Sequence, residues 1–358
     1  MRYWRRRYKL PSQLSLRSLD DLQDAELVLH PTPALHAVAA QYSISITPAM
    51  AALIEPADAL DPIAVQFVPD EREGVASPDD RPDPIGDVAF SPVEGIIHRY
   101  PDRVLLTLLH TCPVYCRFCF RREKVGHGGE TLKPEALEKA LAYIRDHSEI
   151  WEVILSGGDP LMLSDRRLGE VIAELNAIEH VKIIRIHTRV PVVLPERITP
   201  DLIQVLRGDK PVYILLHCNH ARELTQSARE ACARLIDAGL PMLSQSVLLR
   251  GVNDTPDALR ELMKALVESR VKPHHLHHPD LVAGTSHLRP SIKEGQALMR
   301  SLRGHISGLC QPTYILDIPG GYGKVSIGPI YAEMKEEGWE IEDRHGIKHN
   351  YPLDLTKR

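Results

Sequence analysis

The sequence predicts an α/β fold, a full or partial (β/α) barrel preceded by a helical accessory region. Three observations predict it. From about residue 95, six β-rich runs alternate with amphipathic helical patterns, the rhythm of βαβ units on a parallel sheet. A further strand-like run stands at Thr313–Ile318. The chain is 43% hydrophobic but only 5% aromatic, so aliphatic side chains must fill a sizeable core. A doubly wound sheet is the runner-up. Either fold puts its chemistry at the C-terminal ends of the strands.

The elements follow in order. Residues 1–94 read as the accessory region: SLDDLQDAELVL and ITPAMAALI have short-helix patterns. SPDDRPDPIGD (Ser77–Asp87), rich in Pro and Asp, reads as an exposed linker. Residues 95–330 form the barrel, with RVLLTLL, EVILS, VKIIRIHT, VYILLH, MLSQSVLL and PHHLHH as strands. A helix is expected over Pro134–His147, capped by Thr131, with Pro134 in its first turn and Leu137, Ala140, Leu141 and Ile144 on one face. Residues 331–358 are a C-terminal extension.

Composition excludes several classes. A net charge of −5 argues against an electrostatic nucleic-acid binder. No apolar run reaches the roughly 18 residues of a membrane span. The start, MRYWRRRYKL, has no apolar stretch after it and is no secretory signal; it faintly resembles a transit peptide but reads better as a solvated N-terminus. A cytoplasmic protein without disulfides is therefore expected, with Cys218, Cys232 and Cys310 as buried thiols.

Cys112, Cys116 and Cys119 are spaced C-x3-C-x2-C directly after the first barrel strand. Structural zinc normally takes four ligands, and no second CxxC pair exists. A disulfide needs an oxidising compartment, and three is an odd number. Three thiolates on a [4Fe–4S] cluster leave one iron open to a substrate or cofactor. Near the other end, YILDIPGGYGKVSIGP (Tyr314–Pro329) invites a P-loop reading, which fails because Ile318 stands where a glycine is required. What remains is a plain loop, or a lysine on a hinge able to form and release an imine.

HTCPVYCRFCFRR resembles the cluster motif of radical S-adenosylmethionine (SAM) enzymes, whose open iron chelates SAM. The resemblance places Phe118 near the adenine. It places SGGD (Ser156, Gly157, Gly158 and Asp159) at the SAM amino group, with glycines for close backbone approach. Together with RYPDRVLL, TRVPVVLPERIT, QSVLLRGVND, DLVAGTSHLR and LDIPGGYGK, the motifs resemble the lysine 2,3-aminomutase family over roughly residues 45–330. That resemblance implies a radical SAM barrel, a [4Fe–4S] cluster, SAM and pyridoxal 5′-phosphate (PLP). It also implies migration of the α-amino group of L-lysine, or a similar small amino acid, to the β-carbon.

Residue by residue, the resemblance implies that Lys324 holds PLP as a Schiff base. Arg103 meets the PLP phosphate, with Arg99 and Gln245 as weaker matches, and His217 contacts SAM. Arg121 grips the substrate carboxylate, and Asp280 and Asp317 hold its distal ammonium. Read alone, Arg121 is a surface charge, Asp280 a turn cap and His217 a packed histidine; Asp317, a lone acid in an apolar strand end, calls for a partner. HHLHH (His274–His278) looks like a metal site, but strand alternation sends these rings to opposite faces. The resemblance further implies an electron donor such as a flavodoxin or ferredoxin.

The last segment carries no cysteine, so the family's zinc site and tetramer are not implied, and a homodimer is the expectation. Alternatives are a β-lysine-forming enzyme serving elongation factor P, an aminomutase for another amino acid, and a non-catalytic iron–sulfur protein. The elongation-factor branch lacks a counterpart of Asp317, and two aspartates facing one ammonium argue against glutamate as substrate.

Overall fold

The computed structural model describes residues 14–56, 58, 60–126, 131–336 and 338–352. Nine strands form one sheet in chain order: β1 Ile96–Tyr100, β2 Arg103–Leu109, β3 Glu152–Gly157, β4 Ile183–Thr188, β5 Val212–His217, β6 Met242–Val247, β7 Lys272–His277, β8 Thr313–Ile318 and β9 Gly323–Ser326. β2 to β8 run parallel, each to the next; β1 and β9 are antiparallel at the two edges. A doubly wound sheet reverses its strand order at a switch point. This order never reverses, so the architecture is a partial barrel.

The edges meet through side chains. The Lys324 N–H on β9 donates to Tyr100 Oη on β1 at 2.8 Å, and Arg99 on β1 lies 3.5 Å from Asp317 on β8. The alternation of β4 shows how the strands are used. Ile184, Ile186 and Thr188 are buried outward, while Arg185 and His187 turn into a lumen that stays partly open. A barrel whose lumen face is polar keeps a ligand space that aliphatic side chains would fill.

The helix Pro134–Asp146 buries Ala140, Leu141 and Ile144 as its pattern requires, but Ala136 is buried with them while Leu137 is only partly covered. Thr131 does not cap it. Lys133 is the cap residue and makes no side-chain bond; Thr131 bridges Leu109 instead. A lysine side chain has no oxygen to accept from the first-turn N–H groups, so the helix starts without a side-chain cap; Pro134 at its first position still sets the helical φ.

The N-terminal helices Leu19–Asp24, Pro33–Gln41 and Pro48–Ala51 start at Ser18, Thr32 and Thr47, each capping with its hydroxyl. Their Leu22, Leu35 and Met50 join the same hydrophobic cluster as the barrel, so the core is continuous. The Ser77–Asp87 stretch departs from its expectation. Its first half is largely exposed, but Pro84–Asp87 is buried against the barrel. Composition marks a linker; contact with a distant glycine turn, described below, buries it.

After β9 a separate antiparallel sheet forms from β10 Ala332–Lys335, β11 Gly338–Glu342 and β12 Lys348–Pro352. The basic N-terminal decapeptide lies outside the described residues. Cys218, Cys232 and Cys310 are buried free thiols. Among the described residues no helix is long and apolar enough to cross a membrane.

Candidate active site

The cysteine loop leaves the C-terminal end of β2. Cys112, Cys116 and Cys119 are half-buried free thiols lining one cavity with Tyr42, Tyr115 and Arg122. The Cys119 N–H donates to the Cys116 carbonyl at 3.1 Å and tightens the turn between them. Burial pushes the Cys119 thiol up to about 11 and raises Cys112 and Cys116 too. Such thiols ionise readily only when a cation takes the proton's place, which is what iron does. Among the described residues no three His, Cys, Asp or Glu side chains form a group able to hold a single metal ion, so His274–His278 gains no support as one. The thiolates of a four-iron cluster stand apart, each on its own iron.

The loop is clamped by buried charges. Arg189, just past β4, donates to Cys116 Sγ at 3.0 Å, to Gln66 Oε1 at 2.5 Å and to Glu223 Oε2 at 2.7 Å. Arg117 and Arg122, inside the CRFCFRR stretch, both pair with the fully buried Glu73. Phe118 packs at the barrel mouth with Leu249, Val252 and Leu288. Its ring lies 5.6 Å from the Arg189 guanidinium carbon.

Ser156 and Gly157 end β3, and Gly158 follows. A Cβ on Gly158 would fall 2.3 Å from the Thr111 carbonyl oxygen, and one on Gly157 2.6 Å from that of Leu109. The glycines are thus required by the chain's own cysteine loop, not only by an approaching ligand. The Asp159 side chain has a structural task of its own. Both its oxygens accept from Thr188 Oγ1, one of them also from the Arg189 N–H at 2.7 Å, so it locks β3 to β4.

The lumen is lined by inward residues of successive strands. His217, Gln245 and His275 are in-register neighbours across β5, β6 and β7. The His187 and His217 rings lie 5.5 Å apart, and those of His275 and His277 5.8 Å apart. The rings of His274 and His275 stack at 3.7 Å, so the expected separation to opposite faces fails where the β6–β7 register shifts. Burial pulls His217 down to about 4 and His275 to about 3, and lowers His187 and His277 well below the usual range; all four are neutral at pH 7. Nε2 of His187, His217 and His277, and Nε of Arg99, are buried with no hydrogen-bond partner. Buried polar atoms are rarely left so, and four around one lumen fit a polar ligand.

Arg103 opens β2, at the far end of that strand from the thiols. It is one-third exposed, pairs with Asp102 at 2.6 Å and stacks 3.8 Å over the Tyr100 ring. Arg185 shares its neighbourhood, held by Glu152 at 2.9 Å.

Lys324 sits after the Gly320–Gly321 turn of the β8–β9 hairpin, directly opposite Asp317. Its Nζ lies 2.7 Å from Asp317 Oδ2, and His277 Nδ1 is 3.8 Å from the same oxygen. Asp280, past the end of β7, is pushed up to about 7 by burial and by the Asp317 charge. Arg121 is not a surface charge: its side chain is only 11% exposed and is bound to Asp87 Oδ2 at 2.8 Å.

The structure thus brings Lys324, Asp317, Asp280, Arg99 and Arg121 into one neighbourhood. Sequence reasoning missed Asp87, Arg185, His187 and Arg189. The signals for the last three were polar residues on alternate positions of VKIIRIHTR, an otherwise apolar run.

Comparison with known proteins agrees with this construction. The Radical SAM superfamily model matches residues 106–266, and a Lysine-2,3-aminomutase model matches residues 299–337. L-lysine 2,3-aminomutase of Clostridium subterminale is 44% identical over 81% of this chain and 70% of its own. That of Methanococcus maripaludis is 44% identical over 81% and 67%. Glutamate 2,3-aminomutase of Clostridioides difficile is 37% identical over 83% and 70%. With the thiol loop inside the first matched span, the lysine hairpin inside the second, and relatives 44% identical over most of the chain, the chain belongs to the lysine 2,3-aminomutase family of radical SAM enzymes.

Proposed function

We propose that the protein is an L-lysine 2,3-aminomutase, moving the α-amino group of L-lysine to the β-carbon. One observation carries the choice of substrate. Two acids, the part-buried Asp280 and the buried Asp317, lie close enough for their charges to interact, and Asp317 already binds an alkylammonium, that of Lys324, at 2.7 Å. A lysine side chain offers the same group. A glutamate side chain would add a third carboxylate to two that already repel.

When bound, the [4Fe–4S] cluster with SAM supplies a carbon-centred radical, and PLP supplies a π-system that carries the unpaired electron during nitrogen migration. The chain's own residues do the rest. Cys112, Cys116 and Cys119 ligate iron, and the neutral His217 faces the lumen without a charge to attract a counter-ion. Lys324 anchors PLP covalently, with Arg99, Arg103 and Gln245 at its phosphate. Arg121 takes the substrate carboxylate, while Asp280 and Asp317 take the far ammonium. Fixing both ends of the substrate holds its β-carbon at contact distance from the reacting group, which radical transfer requires. We place this chemistry in residues 95–330. We expect a cytoplasmic enzyme, possible only with an external one-electron donor such as a flavodoxin or ferredoxin, and a homodimeric assembly.

The test is product analysis. Protein reconstituted anaerobically with iron and sulfide, then given SAM, PLP and a reductant, should convert L-lysine to β-lysine. Faster formation of β-glutamate from L-glutamate, or no β-amino acid from either, would sink the proposal.

A further inference from the structure

We propose that Asp87 is a positioning residue that sets the spacing between the cofactor-phosphate and substrate-carboxylate subsites by holding Arg99 and Arg121 with one carboxylate. The inference deepens the reading above and rests on it. Asp87 Oδ1 accepts from an amino group of Arg99 at 2.8 Å, and Oδ2 from an amino group of Arg121 at 2.8 Å. All three side chains are largely covered, at 11% exposure or less. Each oxygen serves one arginine, so the carboxylate plane fixes both forks relative to each other. Arg99 keeps a buried, unpartnered Nε, a donor lacking its acceptor.

Asp87 is itself held. Its N–H donates to Asp83 Oδ1 and that of Val88 to Asp83 Oδ2, both at 2.8 Å. Gly86, in the left-handed region at φ +72°, lies so close to the Gly320–Gly321 turn that a Cβ would fall 2.4 Å from the Gly321 nitrogen. A Cβ on Gly321 would in turn fall 2.3 Å from the Phe90 ring. The strap from Asp83 to Phe90 therefore lies against the turn that leads into Lys324. One short segment touches the lysine hairpin and both arginines. Without the Asp87 charge, Arg121 would lose its 2.8 Å ion pair and Arg99 would keep only Asp317 at 3.5 Å, so the two forks would no longer be held at one spacing.

The test compares full-length, anaerobically reconstituted variants. Affinity for PLP is read by absorbance titration, and KM and kcat for L-lysine by β-lysine formation. Asp87→Asn should raise the PLP Kd and the lysine KM by at least tenfold each, with iron per chain unchanged. Arg121→Lys should raise only the lysine KM and leave the PLP Kd within twofold of wild type. Either constant within twofold of wild type in Asp87→Asn overturns the inference. If that variant does not fold, Asp87→Glu carries the test. Its extra methylene displaces the carboxylate, so both constants should rise at least threefold, and no change in either overturns it. Wild-type protein that binds no PLP would instead sink the cofactor reading on which the inference rests.

Discussion

Lys324 Nζ and Asp317 Oδ2 stand 2.7 Å apart across the β8–β9 hairpin, the two residues being direct partners in its register. The hairpin register makes the pairing obligatory, because partners on adjacent strands present their side chains to one face. The lysine is thus delivered to the lumen with its counter-ion. Lys324→Ala should abolish the visible absorbance of lysine-bound PLP while leaving the iron–sulfur spectrum intact. Persistence of that absorbance would put the PLP-bearing lysine elsewhere.

The same carboxylate must release Lys324 before it can serve the substrate's ammonium. Asp317→Asn keeps the shape and removes the charge. Loss of a hydrogen bond between charged groups is worth about 1.5–3 kcal/mol, so the KM for L-lysine should rise roughly 10- to 100-fold. Iron content and SAM binding should not change. Unaltered lysine kinetics in this variant would remove Asp317 from the substrate pocket.

Asp280 gives the pocket a pH dependence. Burial and the neighbouring Asp317 charge hold its carboxyl at about 7, against 3.8 in an exposed aspartate. Below about pH 7 it carries a proton that a bound ammonium must displace. KM for L-lysine should therefore rise as pH falls below about 7, by up to roughly tenfold per unit. The stability of the ligand-free protein has the opposite sense. The folded state holds this proton better than the unfolded chain, so the contribution is present below about pH 4 and is lost as pH rises through about 7. Asp280→Asn should flatten the KM profile in that range; an unchanged slope would assign the titration to another group.

Much of this site was legible because its signals are local. C-x3-C-x2-C is contiguous, and strands β2, β5 and β8 coincide with apolar runs bounded by turn residues. Lys324 is marked by glycines that only a tight turn needs. Asp87 was not legible: Pro and Asp around it signal exposure, and its burial comes from the Gly321 turn, remote in sequence. The task of the Asp159 carboxylate was hidden for the converse reason: its partners Thr188 and Arg189, at the end of β4, are 29 and 30 residues away in sequence. Arg185 and His187 become recognisable only once the inward face of β4 is known. The sheet of β10 to β12 escaped because strands such as KHNYP are short and polar.

The Gly158 contact makes a last prediction, about the cluster loop rather than the substrate. Gly158 donates to the Leu109 carbonyl at 2.6 Å, and Asp159 to that of Thr111 at 2.9 Å, so β3 reads out the start of the cysteine loop through backbone alone. A methyl group there would meet the Thr111 backbone at 2.3 Å, and no side-chain rotation can relieve it. Overpacking of this kind costs about 1–3 kcal/mol. Here the strain is released by moving the loop that carries Cys112. Gly158→Ala should therefore lower iron per chain and SAM binding more than it lowers Tm, because the barrel core below the loop is untouched. Full iron occupancy with a large drop in Tm would show that the glycine serves packing of the sheet and not the geometry of the thiols.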